Sequence, residues 1–170
     1  GNPLNLGGDD SGNPHPVTLA IRKTDSFDPA STEVLDDNGN TVNVVSGSTL
    51  KIKVGDQSRK IDDGTEIVVT DQNVTKNGTV KTIDTAMLDL SDTSDNANEI
   101  AVTVDYRSQP AGATGSAADA LGAAFEAAAD DPEVWSAIAS LSENEAQQAG
   151  EQLAGDPTAS GGSSGITARA

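Results

Sequence analysis

The stretch TLKIKV, residues 49–54, alternates Leu50, Ile52 and Val54 with Lys51 and Lys53. A period of two places the branched aliphatics on one face of an extended strand and the ammonium groups on the other, so one face is buried and one is wet. Downstream, EIAVTVDY repeats the pattern with Ile100, Val102, Val104 and Tyr106. Around these runs lie VTLAIRK, TVNVV, EIVVT and TAMLDL, all short and β-prone. Asn38-Gly39 and Asn77-Gly78 sit between apolar runs and read as turns, because both residue types tolerate positive φ. From Val17 to Tyr106 the chain therefore reads as all-β.

Near Gln109 the composition shifts to Ala, Gly and Ser, and the period lengthens with it. SAADALGAAFEAAA places Ala118, Leu121, Phe125 and Ala128 along one helical face. Asp131-Pro132 supplies an N-cap and a first-turn proline for a second helix, whose apolar side carries Val134, Trp135, Ile138 and Leu141. Ser142 and Glu145 stand at capping-box spacing and open a third helix through Ala146, Ala149 and Leu153, which Gly155 and Pro157 end. Residues 1–16, with Pro3, Pro14 and Pro16, read as a flexible polar leader, and 157–170 as a flexible linker. Four segments result: leader 1–16, β-rich domain 17–108, Ala-rich helices 109–156 and linker 157–170.

The whole chain of 170 residues has four aromatic side chains, Phe27, Tyr106, Phe125 and Trp135, so its core is built from small aliphatics. With 27 acidic and 10 basic residues the net charge is −17, which disfavours nucleic acid and anionic membrane surfaces. No cysteine is present, which removes disulfides, thiolate metal sites and a cysteine nucleophile. No apolar run approaches the ~18 residues of a membrane-spanning helix.

VVSGSTLKIKV, ANEIAVTVDYRS and DPEVWSAIASLSENEAQQAGEQLAGD, in that order, resemble the C-terminal end of the passenger region of bacterial type V autotransporters. The family's helical element between the β-region and the barrel is matched by Leu141, Ser142, Glu145, Ala146, Ala149, Gln152 and Leu153. The resemblance implies a mainly β fold: a short right-handed β-helix or β-sandwich-like cap, akin to an autochaperone region, followed by a small C-terminal helical segment. It further implies a non-enzymatic role in passenger folding and stability, with no cofactor. The partners would be upstream passenger coils and a downstream membrane barrel of the same polypeptide. The location would be secreted or the cell surface of a Gram-negative bacterium, reached through periplasm and outer membrane. The competing reading is an acidic immunoglobulin-like adhesin module that binds a glycan or protein and is stiffened by calcium.

Three stretches invite a chemical reading. DDSGNP is similar to the nucleophile loop of chymotrypsin-like proteases, with Ser11 four residues before His15, the chain's single histidine. The preceding residues are too few to build the fold that a triad needs, so a solvated turn is expected. Asp36, Asn38 and Asn40 alternate like calcium ligands, but Thr41 and Gly47 stand where an EF-hand needs Gly and Glu. Asp89, Asp92, Asp95 and Glu99 follow no recognised metal spacing. Asn73 and Asn77 fit the glycosylation acceptor pattern and read as polar turns, and Trp135 reads as a core anchor. No catalytic, cofactor-binding or metal-ligating residue is assigned.

Overall fold

The computed structural model describes residues 4–9, 11–35, 41–71 and 73–155. Among them the protein is mainly β, with nine strands in three small sheets, three helices and no closed barrel. It divides into two compact units, described in turn.

The first unit comprises residues up to Gly55, Ile61–Ile83 and Leu90–Asp105. One sheet has the order β1 (Leu4–Leu6), β3 (Val42–Val44), β6 (Val74–Lys76), and a second the order β2 (Val17–Ile21), β4 (Thr49–Val54), β7 (Thr79–Thr82). All pairings in both sheets are parallel, so each sheet takes one strand from each of three successive passes of the chain. The register lines up Leu4, Val42 and Val74 in one sheet and Val17, Leu50 and Val80 in the other. Each such row stacks aliphatics on aliphatics. The period of two in TLKIKV has the expected result: Leu50, Ile52 and Val54 are buried and the lysines face outward. A third sheet has the order β5 (Thr65–Thr70), β9 (Ile100–Tyr106), β8 (Leu88–Asp92). Here β5 runs antiparallel to β9, with Ile67 opposite Val102 and a register shift between Val68 and Thr70. Ile67, Val69, Val102 and Val104 are fully buried, each contributing about 1.5–3 kcal/mol of apolar transfer.

The structure departs from the sequence reading in four places within the strands. Leu4–Leu6, inside the stretch read as a polar leader, forms a strand because a parallel neighbour holds it. β6 and β7, three and four residues long, went unread. Within TAMLDL the strand begins only at Leu88, while Ala86 and Met87 are buried ahead of it. Asn77-Gly78 joins strands of two different sheets rather than a hairpin, and neither residue has positive φ. Gly78 is required there for space: a Cβ would run into the Val45 carbonyl. The Asn38-Gly39 turn, Pro3 and the linker at 157–170 lie outside the described residues.

The second unit comprises Asp56–Lys60, Asp84–Asp89 and the chain from Tyr106 onward. The boundary expected at 108 thus falls at Asp105, and two short stretches of the β-rich segment belong with the helices. These are α1 (Gly115–Ala127), α2 (Pro132–Ala139) and α3 (Glu143–Leu153). Asp131 caps α2 by accepting from the Val134 amide at 3.2 Å, with Pro132 following it. At α3, Glu145 Oε1 accepts from the Ser142 amide and hydroxyl, both at 3.0 Å. These bonds hold the Glu145 carboxyl below the usual carboxylate range, the amide contributing most.

Ala118, Leu121, Phe125 and Ala128 are buried as the periodicity requires. Val134 and Leu153 are not: they are 41% and 46% exposed. Of the face expected for α3, Ala146 is buried and Ala149 partly so, and Gly150 joins Ala146 where small residues allow close approach to α1. A Cβ on Gly150 would strike the Ala117 carbonyl. Trp135 stacks on Phe125 with ring centroids 5.3 Å apart, and Phe125 meets Tyr106 edge-on at 5.1 Å. Three of the four aromatics therefore form one cluster. Two pieces of intervening chain are tied into this unit by partly buried polar bonds. Ser136 Oγ accepts from the amide of Gln57, a residue in the left-handed region at φ 63°. Thr85 donates to the Ala139 carbonyl at 2.7 Å, and Arg107 Nε donates to the Thr85 carbonyl at 2.9 Å.

Candidate functional site

Ser11 and His15 are both exposed, and no hydrogen bond joins them among the described residues. The His15 ring turns its Nδ1 toward the Pro16 carbonyl at 3.2 Å, away from the role of a base to Ser11. Asp9 organises the loop instead: its Oδ1 accepts from the Asn13 amide at 2.8 Å and the Ser11 amide at 2.9 Å. Those amides, Asn13 first, hold its carboxyl below the usual range. Gly8 bridges Pro14, and the Ser48 hydroxyl, itself buried, donates to the His15 carbonyl at 2.8 Å. The loop is thus fastened to the turn that precedes β4. Asp10 lies outside the described residues.

The acidic turn after β8 likewise spends its carboxylates on its own backbone. Asp92 accepts from the Ser94 hydroxyl at 2.6 Å and amide at 3.0 Å, and Glu99 accepts from the Asp95 amide at 2.7 Å. Partial burial pushes the Asp92 carboxyl up, but the Ser94 bonds and the nearby Lys76 outweigh it and leave the group lowered. Asp89 is exposed on the strand. No group of three potential metal ligands occurs among the described residues, and Asp36, Asn38 and Asn40 fall outside them. Asn73 is exposed and adopts φ 44°, and Asn77 is exposed in its turn. A shallow depression of about 100 Å³ beside Lys23, Asp28 and Thr65 is well below the ~300 Å³ typical of small-molecule sites.

The candidate site is the free edge of the first pass. β1 and β2 stand at the ends of their sheets, so each has a strand on one side only among the described residues. Four of its five inward side chains show the consequence, while Ile21, at the end of β2, is buried. Leu4 is 41% exposed while its register partner Val42 is fully buried. Leu6, Val17 and Leu19 are partly exposed, whereas their partners Val44, Leu50 and Ile52 are at most 1% exposed. These are the same positions in the pleat with the same kind of side chain. The second pass is covered from both sides, and the first from one.

An amide ladder runs up the same edge. Asn77 Nδ2 donates to Asn43 Oδ1 at 3.2 Å, and Asn43 Nδ2 donates to Asn5 Oδ1 at 3.3 Å. Stacked asparagines of this kind satisfy each other from pass to pass and pin the register. The arrangement offers backbone groups that no described strand pairs, partly exposed aliphatics and a terminal amide, which is what an incoming parallel strand uses. Sequence reading missed this edge because LNL is too short and polar-flanked to announce a strand. The signal that would have found it is the recurrence of Asn5, Asn43 and Asn77 beside short apolar pairs. Comparison with protein-family models, curated proteins and solved structures returned no match.

Proposed function

We propose that the protein is a non-enzymatic stacking block, whose first pass receives an upstream coil. In this reading β1 to β4, β6 and β7 are three coils of a short β-helix, followed along the chain by three helices. The block belongs to the C-terminal passenger segment of a secreted or surface-displayed autotransporter, where it supports passenger folding. The observation that carries the reading is the partly exposed set Leu4, Leu6, Val17 and Leu19 beside fully buried register partners. An upstream coil laid on this edge removes those aliphatics from water, and each coil then presents the surface the next one needs. The order of elements, β passes followed by capped helices, agrees with the resemblance in LSENEAQQAGEQL. Parallel pairing supports coils over the immunoglobulin-like alternative, whose sheets are antiparallel.

The experiment is deletion of residues 40–106 from the full passenger, followed by secretion and protease resistance of the upstream part. Loss of a protease-resistant passenger is expected. Unchanged secretion and folding would overturn the proposal.

A further inference from the structure

The outer face of the β2-β4-β7 sheet gathers four cations in a chain whose net charge is −17. Lys51 and Lys81 are register partners, opposite each other on neighbouring strands, with Thr18 completing their row. Lys53 lies two residues along β4, beside Ala20. Arg22 continues the alternation of Thr18 and Ala20, and a Cβ on Gly55 would stand 3.2 Å from its Cγ, so its stem crosses the same face. No carboxylate occupies these rows, and none of the four cations pairs with another described residue. Like charges directly opposite one another destabilise a sheet. The fold itself gives no reason to place them so.

We propose that this face binds a linear polysaccharide that carries carboxylate groups. Strands about 4.8 Å apart and a two-residue rise of about 6.8 Å set Lys81, Lys53 and Arg22 on a diagonal, at steps of roughly 8 Å. That stripe suits an extended acidic polysaccharide in which about every second ring carboxylate meets a cation. β4 is paired on both sides, so the face offers an incoming peptide no main-chain partners, and strand addition is ruled out there. It does offer hydroxyls: Thr49 and Thr79 are register partners beside the lysine pair. Ala20 and Gly55 leave a low floor between Lys53 and Arg22. A nucleic-acid duplex, with one charge per ~1.7 Å of axis, is repelled by the −17 of the whole chain more strongly than a polymer with one carboxylate per sugar ring is. No aromatic side chain lies in these rows, so attachment is through charge and weakens with salt.

The test is titration of the folded 170-residue chain with an oligogalacturonate at low ionic strength and again at about 0.5 M salt. The comparison set is K51S/K53S/K81S and, as a charge-matched control on exposed α1 positions, S116E/A123E/A127E. Binding by the parent that is lost in high salt is expected. The triple serine variant loses about tenfold in affinity, the product of three exposed ion pairs each worth a factor of about two to three. The control changes by less than about twofold. If the triple variant does not fold, by far-UV circular dichroism, K81S alone, at an exposed position, is expected to weaken binding about two- to threefold. No binding by the parent, or an equal loss in the control, would overturn the proposal. Polyglutamate of equal length binding as tightly as the oligogalacturonate would also overturn it, and would assign the face to acidic peptides instead. Neutral dextran is expected not to bind, and binding by it would remove the role of charge.

Discussion

The row Leu19, Ile52 and Thr82 runs across all three passes, and it allows a quantitative comparison within one chain. Ile52 is fully buried, with Leu19 on one side and Thr82 on the other. Ile52→Ala removes three carbons from a site that cannot collapse, at a cost of about 3 kcal/mol within the usual range of roughly 2–5. Leu19→Ala removes as many carbons from a site that is already partly exposed and open on its free side. Less apolar area returns to water and no closed cavity forms, so the cost is about 1–2 kcal/mol. Urea unfolding followed by far-UV circular dichroism reads both. With a slope of about 2 kcal/mol per molar, the midpoint falls by about 1.5 M for Ile52→Ala and by about half that for Leu19→Ala. Equal losses, or a larger loss at Leu19, would show that the first pass is covered on both sides like the second.

Other changes test the remaining contacts. Gly150→Val forces α3 away from the Ala117 backbone, and fluorescence of Trp135, the single tryptophan, is expected to report helical-unit unfolding at a urea midpoint lower by about 1 M, since overpacking costs about 1–3 kcal/mol. Asn43→Ala removes both bonds of the solvent-exposed amide ladder, with an expected loss of about 1 kcal/mol in urea unfolding, against a smaller loss for Asn5→Ala, which removes one. Because the Glu145 carboxyl is lowered in the folded state, its contribution is present above the unfolded carboxylate range and is lost as pH falls through the folded value. At fixed high salt, acidification therefore lowers the tryptophan-reported midpoint, and Glu145→Gln is expected to flatten that dependence. An identical slope in the variant would contradict the assignment.

The parts of the fold legible in the sequence are those whose side chains alone fix the element. TLKIKV and EIAVTVDY alternate cleanly, and Asp131-Pro132 and Ser142 with Glu145 mark helix starts by capping chemistry that is local to the chain. VTK and TVKT are strands only because parallel neighbours hold them, and no local signal encodes that. The parallel passes were hidden by unequal spacing. Val42 follows its partner Leu4 by 38 positions and Val74 follows Val42 by 32, so no fixed period appears. The free edge reflects that β1 and β2 pair on one side only among the described residues, which composition does not record. The lysines of TLKIKV were legible as a wet face, but the pairing of Lys51 with Lys81 needed the register.

If the edge of the first pass is a receiving surface, amide hydrogen exchange registers its occupation strand by strand. In the 170-residue chain alone, outward-facing amides of Leu4–Leu6 and Val17–Ile21 are expected to exchange well before those of Val42–Val44 and Thr49–Val54, which are paired on both sides. In a polypeptide that carries the upstream passenger, the first-pass amides are expected to become as protected as the second-pass ones. First-pass amides that exchange equally fast with and without the upstream passenger would contradict the account.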